Sequence, residues 1–88
     1  MKLVKVIGSI TSTIKDETLR GFKILVVQSV DVNLEEINDY HVVVDTVGMG
    51  EGELGLMVTG STAKGTESTK SKNVDAALVA RVDRIDLK

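Results

Sequence analysis

Short apolar stretches separated by glycine and polar residues predict a chain built mainly of β-strands. Five stretches have the length and the Val, Ile and Leu content of strands: Lys2–Ile10, Phe22–Val30, Tyr40–Val47, Leu54–Thr59 and Leu78–Leu87. The unbroken apolar run Ile24–Val27 indicates that the second strand is covered on both faces. Gly8, near the end of the first stretch, predicts a β-bulge or a close approach of another backbone.

The segments between these strands are polar or ambiguous. Thr11–Gly21 predicts a loop in which Leu19 anchors the chain. Asp31–Asp39 predicts either a loop or one helical turn around Leu34–Ile37, and Val74–Ala77 predicts another helical turn.

Ser61 is a suitable N-cap for one short helix through Lys64. Gly65–Asn73 holds only glycine and polar residues and predicts a mobile loop. Five short strands joined by glycine-marked turns favour a small closed barrel over an open sheet, because closure removes unpaired edges. We therefore expect residues 1–88 to form a single domain, a mainly β, five-stranded barrel with one short helix.

The size of the chain favours oligomerisation. A domain of 88 residues buries a modest core. Small domains gain stability from disulfides, a metal or a partner subunit. The sequence contains no cysteine, and its one histidine is His41, so disulfides and Cys- or His-rich metal sites are excluded. Association with further copies is the remaining common solution.

Charge and aromatic content argue against several partner classes. The net charge of −2 argues against nucleic-acid binding, and Phe22 and Tyr40 are too few aromatics for a base-stacking platform. No apolar run reaches the roughly 18 residues that span a bilayer. Met1 and Lys2 lead directly into a strand, which lacks the pattern of a signal peptide, so we expect a cytoplasmic protein without a membrane partner.

Three glycines between Gly50 and Gly55 match the dinucleotide-binding pattern G-x-G-x-x-G. That site requires a helix after the glycines, whereas Leu54–Thr59 predicts a strand. Glu51 and Glu53 would also place negative charge beside the phosphates. The glycines are better explained by a tight turn and by close contact between backbones.

Carboxylates in this region have structural explanations. Glu51 and Glu53 could act as an acid–base pair, but no nucleophile with an activating base lies nearby, so an acidic turn facing solvent or a subunit interface is favoured. Asp45 lies in an apolar strand, and a buried carboxylate must be paired or hydrogen-bonded. Its candidate partners are the backbone N–H groups of the glycine turn or the side chains of Lys15, Lys23 and Lys64.

No constellation of residues indicates catalysis. Ser12 and Ser61 would need an activating base to act as nucleophiles, and His41 has no chain neighbour that would orient it. We therefore predict a structural or binding module with no catalytic, cofactor or metal site.

Four blocks of sequence, in order, carry a resemblance to a known family. They are Val6–Gly8 with Ser12–Lys15, Leu19–Val27, Val44–Glu53 continued by Gly60–Lys64, and Val74–Val79 with Val82 and Asp83. With these blocks the chain resembles the bacterial microcompartment vertex proteins, the EutN/CcmL family, over nearly its whole length. The family usually has alanine at the position of Met49, arginine at that of Lys64 and proline at that of Asn73.

The resemblance implies an OB-like β-barrel assembled as a cyclic homopentamer. Such pentamers cap the vertices of a carboxysome-like polyhedral shell that encloses metabolic enzymes, with hexameric shell proteins as neighbours. We expect the subunit interface or the central opening to involve Lys15, Lys23, Asp45, Gly48, Gly50, Glu51, Gly52, Glu53, Gly60, Ser61 and Lys64.

Two other classes of protein remain open. One is an OB-like module that binds single-stranded nucleic acid or an oligosaccharide, and the other is a small enzyme subunit.

Overall fold

A computed structural model describes residues 1–13, 17–19, 21–60 and 75–88. Its five strands are β1 (Lys2–Ile10), β2 (Lys23–Val30), β3 (Glu36–Asp45), β4 (Leu54–Thr59) and β5 (Ala76–Val82). One turn of 3₁₀ helix, Glu17–Leu19, precedes β2. Within the described ranges, no helix is long and apolar enough to cross a membrane.

The strands close into a barrel in the order β1-β2-β3-β5-β4. Every pair of neighbours is antiparallel except β3 and β5, which run parallel through Val44–Ala77 and Asp45–Leu78. The five-stranded, OB-like barrel that the sequence predicts is confirmed.

Alternate residues of the strands fill the barrel, as the period of two in a strand requires. The largest buried cluster consists of Val4, Val6, Leu25, Val27, Val43, Met49, Met57 and Leu78. The pairing of β1 with β2 shifts register between Val6 and Gly8, which confirms the predicted bulge.

The interpretation of Asp31–Asp39 as a loop or helical turn is wrong over its second half, because β3 begins at Glu36. Asp31 Oδ1 accepts the N–H groups of Asn33 and Glu35, at 2.8 and 3.0 Å, and this closes a tight turn between β2 and β3. Leu34 has a φ of 67° in this turn. The first half of β3 carries few buried residues, so its strand pattern is weak in the sequence.

The last strand also differs from the prediction of Leu78–Leu87. Ala76 and Ala77, expected in a helical turn, pair with Thr59 and Val58 of β4. The ladder ends where Val82 faces Leu54, the first residue of β4, because no partner strand continues beyond it.

Two smaller boundaries shift as well. β2 begins at Lys23, one residue after the predicted Phe22, and β3 ends at Asp45 instead of Val47. The predicted helix at Ser61–Lys64 and the predicted mobile loop Gly65–Asn73 lie outside the described residues.

Candidate functional site

Asp45 organises the turn that joins β3 to β4. Its side chain is buried, with 8% of the residue exposed. Oδ1 accepts the N–H groups of Val47 and Gly48, both at 2.9 Å, and Oδ2 accepts that of Met49 at 2.6 Å. Of the predicted partners, the backbone N–H groups are therefore confirmed.

Lys23 is near this turn but does not pair with Asp45. Its Nζ donates to the carbonyl oxygen of Met49 at 3.1 Å, which fixes the far side of the turn. Lys15 and Lys64, the other lysines expected here, lie outside the described residues, as does Ser61.

The acidic end of the turn is held within the subunit. Glu53 Oε1 accepts the N–H of Gly50 at 2.6 Å, and its Oε2 lies 3.7 Å from Nη1 of Arg81. Glu51 is exposed, and no other described residue pairs with it. Within the described part of the subunit, the cation near Glu53 is therefore an arginine on β5.

The turn continues the ladder between β1 and β4. Val6 N–H donates to Glu53 O at 3.0 Å, and Gly52 N–H donates to Val6 O at 2.8 Å. The glycine turn therefore lies against β1 directly beside the bulge at Gly8.

Gly55 shows why the nucleotide-like pattern is a packing motif. A Cβ at this position would lie 2.7 Å from Sδ and Cε of Met49 and 3.0 Å from Ala80 O. Met49 is fully buried in the core, so Gly55 leaves the space that its side chain fills. The strand β4 follows the glycines, as predicted, where a dinucleotide site needs a helix.

The other glycines here fall into two groups. Gly48 and Gly52 have φ angles of +93° and +85°, which favour glycine. Gly60 has a φ of +63°, and its N–H donates to Asp75 O at 2.7 Å. By contrast, a Cβ at Gly8 would meet nothing within 4 Å, and one at Gly50 would meet Glu53 Oε1 at 3.5 Å. Among the described residues, none gives Gly8 or Gly50 a steric reason to be glycine.

Asp39 is the centre of a polar cluster that sequence reasoning missed. Its Oδ2 accepts hydrogen bonds from Ser29 Oγ at 2.6 Å and Lys2 Nζ at 2.9 Å, and lies 2.9 Å from His41 Nε2. His41, for which the sequence offered no orienting neighbour, is therefore oriented by Asp39. Residues two apart on a strand share a face, but the predicted strand began at Tyr40, so the sequence did not place Asp39 beside His41.

These three hydrogen bonds hold the pKa of Asp39 well below its usual range, and the bond from Ser29 has the largest effect. Ser29 and His41 both bond the same carboxylate oxygen, whereas a nucleophilic serine needs its hydroxyl bonded to the base. The cluster joins β1, β2 and β3 and has the geometry of a structural contact.

Asp39→Asn is expected to destabilise the subunit at neutral pH, and the difference from the unmodified chain is expected to shrink in acid. Because folding lowers the pKa of Asp39, its carboxylate stabilises the fold above the unfolded-state pKa of about 3.9. That stabilisation is lost as the pH falls through the lower pKa of the folded state. Urea titrations of both proteins between about pH 7 and about pH 3 measure the effect. An equal difference at both ends would contradict it.

Candidate metal ligands do not cluster in the described part of the chain, where no three His, Cys, Asp or Glu side chains could hold an ion.

Comparison with known proteins decides the family. The family model described as "Ethanolamine utilisation protein EutN/carboxysome" matches residues 1–83. The chain belongs to the EutN/CcmL family. The resemblance that the four sequence blocks carry is thereby confirmed.

Relatives in the EutN/CcmL family match at nearly full length. The bacterial microcompartment shell vertex protein GrpN of Rhodospirillum rubrum is 42% identical over 86 residues, which are 98% of this chain and 97% of GrpN. The carboxysome shell vertex protein CcmL of Thermosynechococcus vestitus is 42% identical over 85 residues, which are 97% of this chain and 86% of CcmL.

Solved structures of EutN/CcmL proteins have the same fold. The pentameric microcompartment shell protein GrpN superposes with a TM-score of 0.90 at 42% identity and covers 100% of both chains. CcmL of Nostoc sp. superposes with a TM-score of 0.93 at 39% identity, over 100% of this chain and 93% of that one. The subunits of these two relatives therefore have the same fold as this chain.

Proposed function

We propose that this chain is a structural shell protein, a cyclic homopentamer that caps the vertices of a polyhedral bacterial microcompartment. The observation that carries the proposal is the match to GrpN, a pentameric shell protein that aligns with this chain end to end. The small cysteine-free core is consistent with a subunit that is stabilised by neighbours in a ring.

In this proposal the protein lies in the shell, within the cytoplasm, and the outer edge of its ring meets hexameric shell proteins. Flat hexagonal sheets cannot close on themselves, and five-fold units supply the curvature. We propose no catalytic role and no nucleic-acid partner. The geometry of Ser29 and His41 around Asp39 and the net charge of −2 support both statements.

We further propose that the segment from Asp45 to Glu53, together with Gly60–Lys64, shapes the contact between subunits or the central opening of the ring. Gly50 supports this role, because no contact with the described part of the subunit requires a glycine there. A residue without a side chain permits close approach by a neighbouring backbone.

Native mass spectrometry at micromolar concentration is expected to show five subunits, and a monomer would refute the proposed function. In Gly50→Val we expect the ring to weaken, while the isolated subunit loses less stability than it does in Gly52→Val, since the Cβ at Gly50 makes only an ordinary contact. Urea titration of dissociated subunits gives the second quantity.

Gly52→Val is the contrasting variant two residues away. Its φ of +85° strains any residue with a side chain, so the subunit itself is expected to lose about 1–2 kcal/mol. Pentamers of normal stability in Gly50→Val would remove the glycine turn from the proposed contact while leaving the proposed shell function in place.

A further inference from the structure

The outer surface of the β1-β2-β3 sheet carries an uncharged patch. We define the outer face as Gly8, Ile10, Ile24, Val26, Tyr40 and Val42. Strand pairing places Gly8, Val26 and Val42 in one row across three strands, with Ile10 and Ile24 paired in the next row. Because neighbouring strands lie about 4.8 Å apart, these side chains form one continuous surface.

This surface is more apolar than the outside of an antiparallel sheet usually is. Val42 and Tyr40 are each 55% exposed and Ile10 is 41% exposed, although the solvent side of such a sheet is normally polar. Charged residues make up 27% of the chain, but the central row of the outer face holds none, and Lys5 pairs with Gln28 in the row of Tyr40, at the edge of this face. Depletion of charge in this way marks the centre of a protein interface.

The sequence run Ile24–Val27 indicates a strand covered on both faces, and the barrel covers one of them. Leu25 and Val27 are buried in the core, whereas Ile24 and Val26 on the outer face are only partly buried. The pattern of the sequence thus calls for a second covering, which the described residues of the subunit supply only in part.

Two features make the surface of the outer face uneven. Gly8 leaves its position in the central row without a side chain, although its backbone conformation and surroundings would accept one. A cavity of about 150 Å³ opens beside Val42, lined also by Leu19, Ile24 and Ala76, with Asp75 among its other residues. A cavity next to an apolar patch is suited to an anchoring side chain from a partner.

We propose that the outer face, centred on Val42, receives the neighbouring copy of this chain in the ring. The inference rests on the proposed pentamer and adds the surface through which it forms. A cyclic ring joins two different surfaces of each subunit, so one of them must accept a neighbour. GrpN is pentameric, and its chain aligns with this one over its full length. This match favours a second copy of the chain as the occupant of the outer face.

Val42→Asp tests the inference, and Val32→Asp is its matched control. Both valines are exposed to a similar extent, 55% and 57%, but Val32 lies in the turn between β2 and β3, away from the outer face. A charge buried at the centre of an interface is expected to weaken the ring by about 30-fold or more. Native mass spectrometry and sedimentation across a concentration series measure the dissociation, and circular dichroism verifies the fold.

The expected result is a pentameric unmodified protein, a folded Val42→Asp subunit that dissociates, and a pentameric Val32→Asp. Two results would overturn the inference while the proposed function stands: pentamers that survive in Val42→Asp, or dissociation in both variants alike. Loss of shell incorporation by an intact Val42→Asp pentamer would also overturn it, because the outer face would then meet another shell protein. An unmodified protein that is monomeric would refute the proposed function itself.

Two gentler variants keep the test decisive if Val42→Asp does not fold. Val42→Thr keeps the shape and the β-branch while adding a hydroxyl, and Gly8→Ala adds a methyl where the subunit leaves open space. Each is expected to weaken the ring with the melting temperature of the isolated subunit unchanged. Rings of unaltered affinity in both variants would contradict the inference.

Discussion

Asp45→Ala is expected to lower the free energy of unfolding of the subunit by about 3 kcal/mol. The buried carboxylate accepts three backbone N–H groups, and hydrogen bonds to a charged acceptor contribute about 1.5–3 kcal/mol each. Water can replace the bonds to Val47 and Gly48, which are exposed, but not the bond to Met49, which is fully buried. A small domain with 5–15 kcal/mol of total stability would lose a large share of it.

Asp31→Ala is the matched control for this prediction. Asp31 makes the same type of bond, with one oxygen accepting the N–H groups of Asn33 and Glu35, but the turn is exposed. Its loss is expected to cost about 1 kcal/mol, the usual net contribution of a solvent-accessible hydrogen bond. Urea titrations of both variants compare the two turns. Equal losses would show that burial of Asp45 has no part in its effect.

The second large effect is expected from the contact between Met49 and Gly55. Met49→Ala removes a fully buried side chain and is expected to cost about 2–5 kcal/mol. Gly55→Ala forces a methyl group to within 2.7 Å of Met49 Sδ and is expected to cost about 1–3 kcal/mol.

The double variant Met49→Ala, Gly55→Ala distinguishes this contact from two independent defects. Without the methionine, the new methyl group meets only Ala80 O at 3.0 Å and partly fills the cavity. The combined loss is therefore expected to be smaller than the sum of the single losses, by more than about 0.5 kcal/mol. Thermal or urea unfolding of the four proteins completes the cycle. Additive losses would mean that Gly55 serves the backbone and not the methionine.

The contact between Met49 and Gly55 also shows where one departure from the family pattern lies in the structure. Met49 stands where alanine is usual, and its side chain lies in the barrel core. The sequence suggested that the glycines permit close contact between backbones. At Gly55 the contact is chiefly between a glycine of β4 and the Met49 side chain of the preceding turn.

Strands with a strong apolar pattern were predictable from the sequence to the residue. β1 and β4 begin and end where the pattern predicts, because their inward residues are apolar throughout the paired region. The first half of β3 was missed, since Glu36 to His41 holds no buried residue and no apolar alternation. Pairing with β2 makes it a strand, and pairing is a long-range property.

The sequence predicted the chemical needs of the candidate site but not the contacts that meet them between distant strands. Burial of Asp45 and its need for hydrogen bonds follow from its apolar strand, and the backbone N–H groups of the turn that follows it supply the donors. The cluster at Asp39 depends on Ser29 and Lys2, which the register of three strands brings together. Arg81 meets Glu53 for the same reason, since β5 is distant in sequence from the turn.

The parallel contact between β3 and β5 has a consequence for the order of folding. It is short, and Thr46 Oγ1 reinforces it by donating to Leu78 O at 2.6 Å, across 32 residues of chain. The antiparallel neighbours β1, β2 and β3 follow one another along the chain and need far shorter loops to meet. We expect this three-stranded meander to form first and the pairing of β3 with β5 at Leu78 to close the barrel last. Closure of the barrel is then expected to set the folding rate.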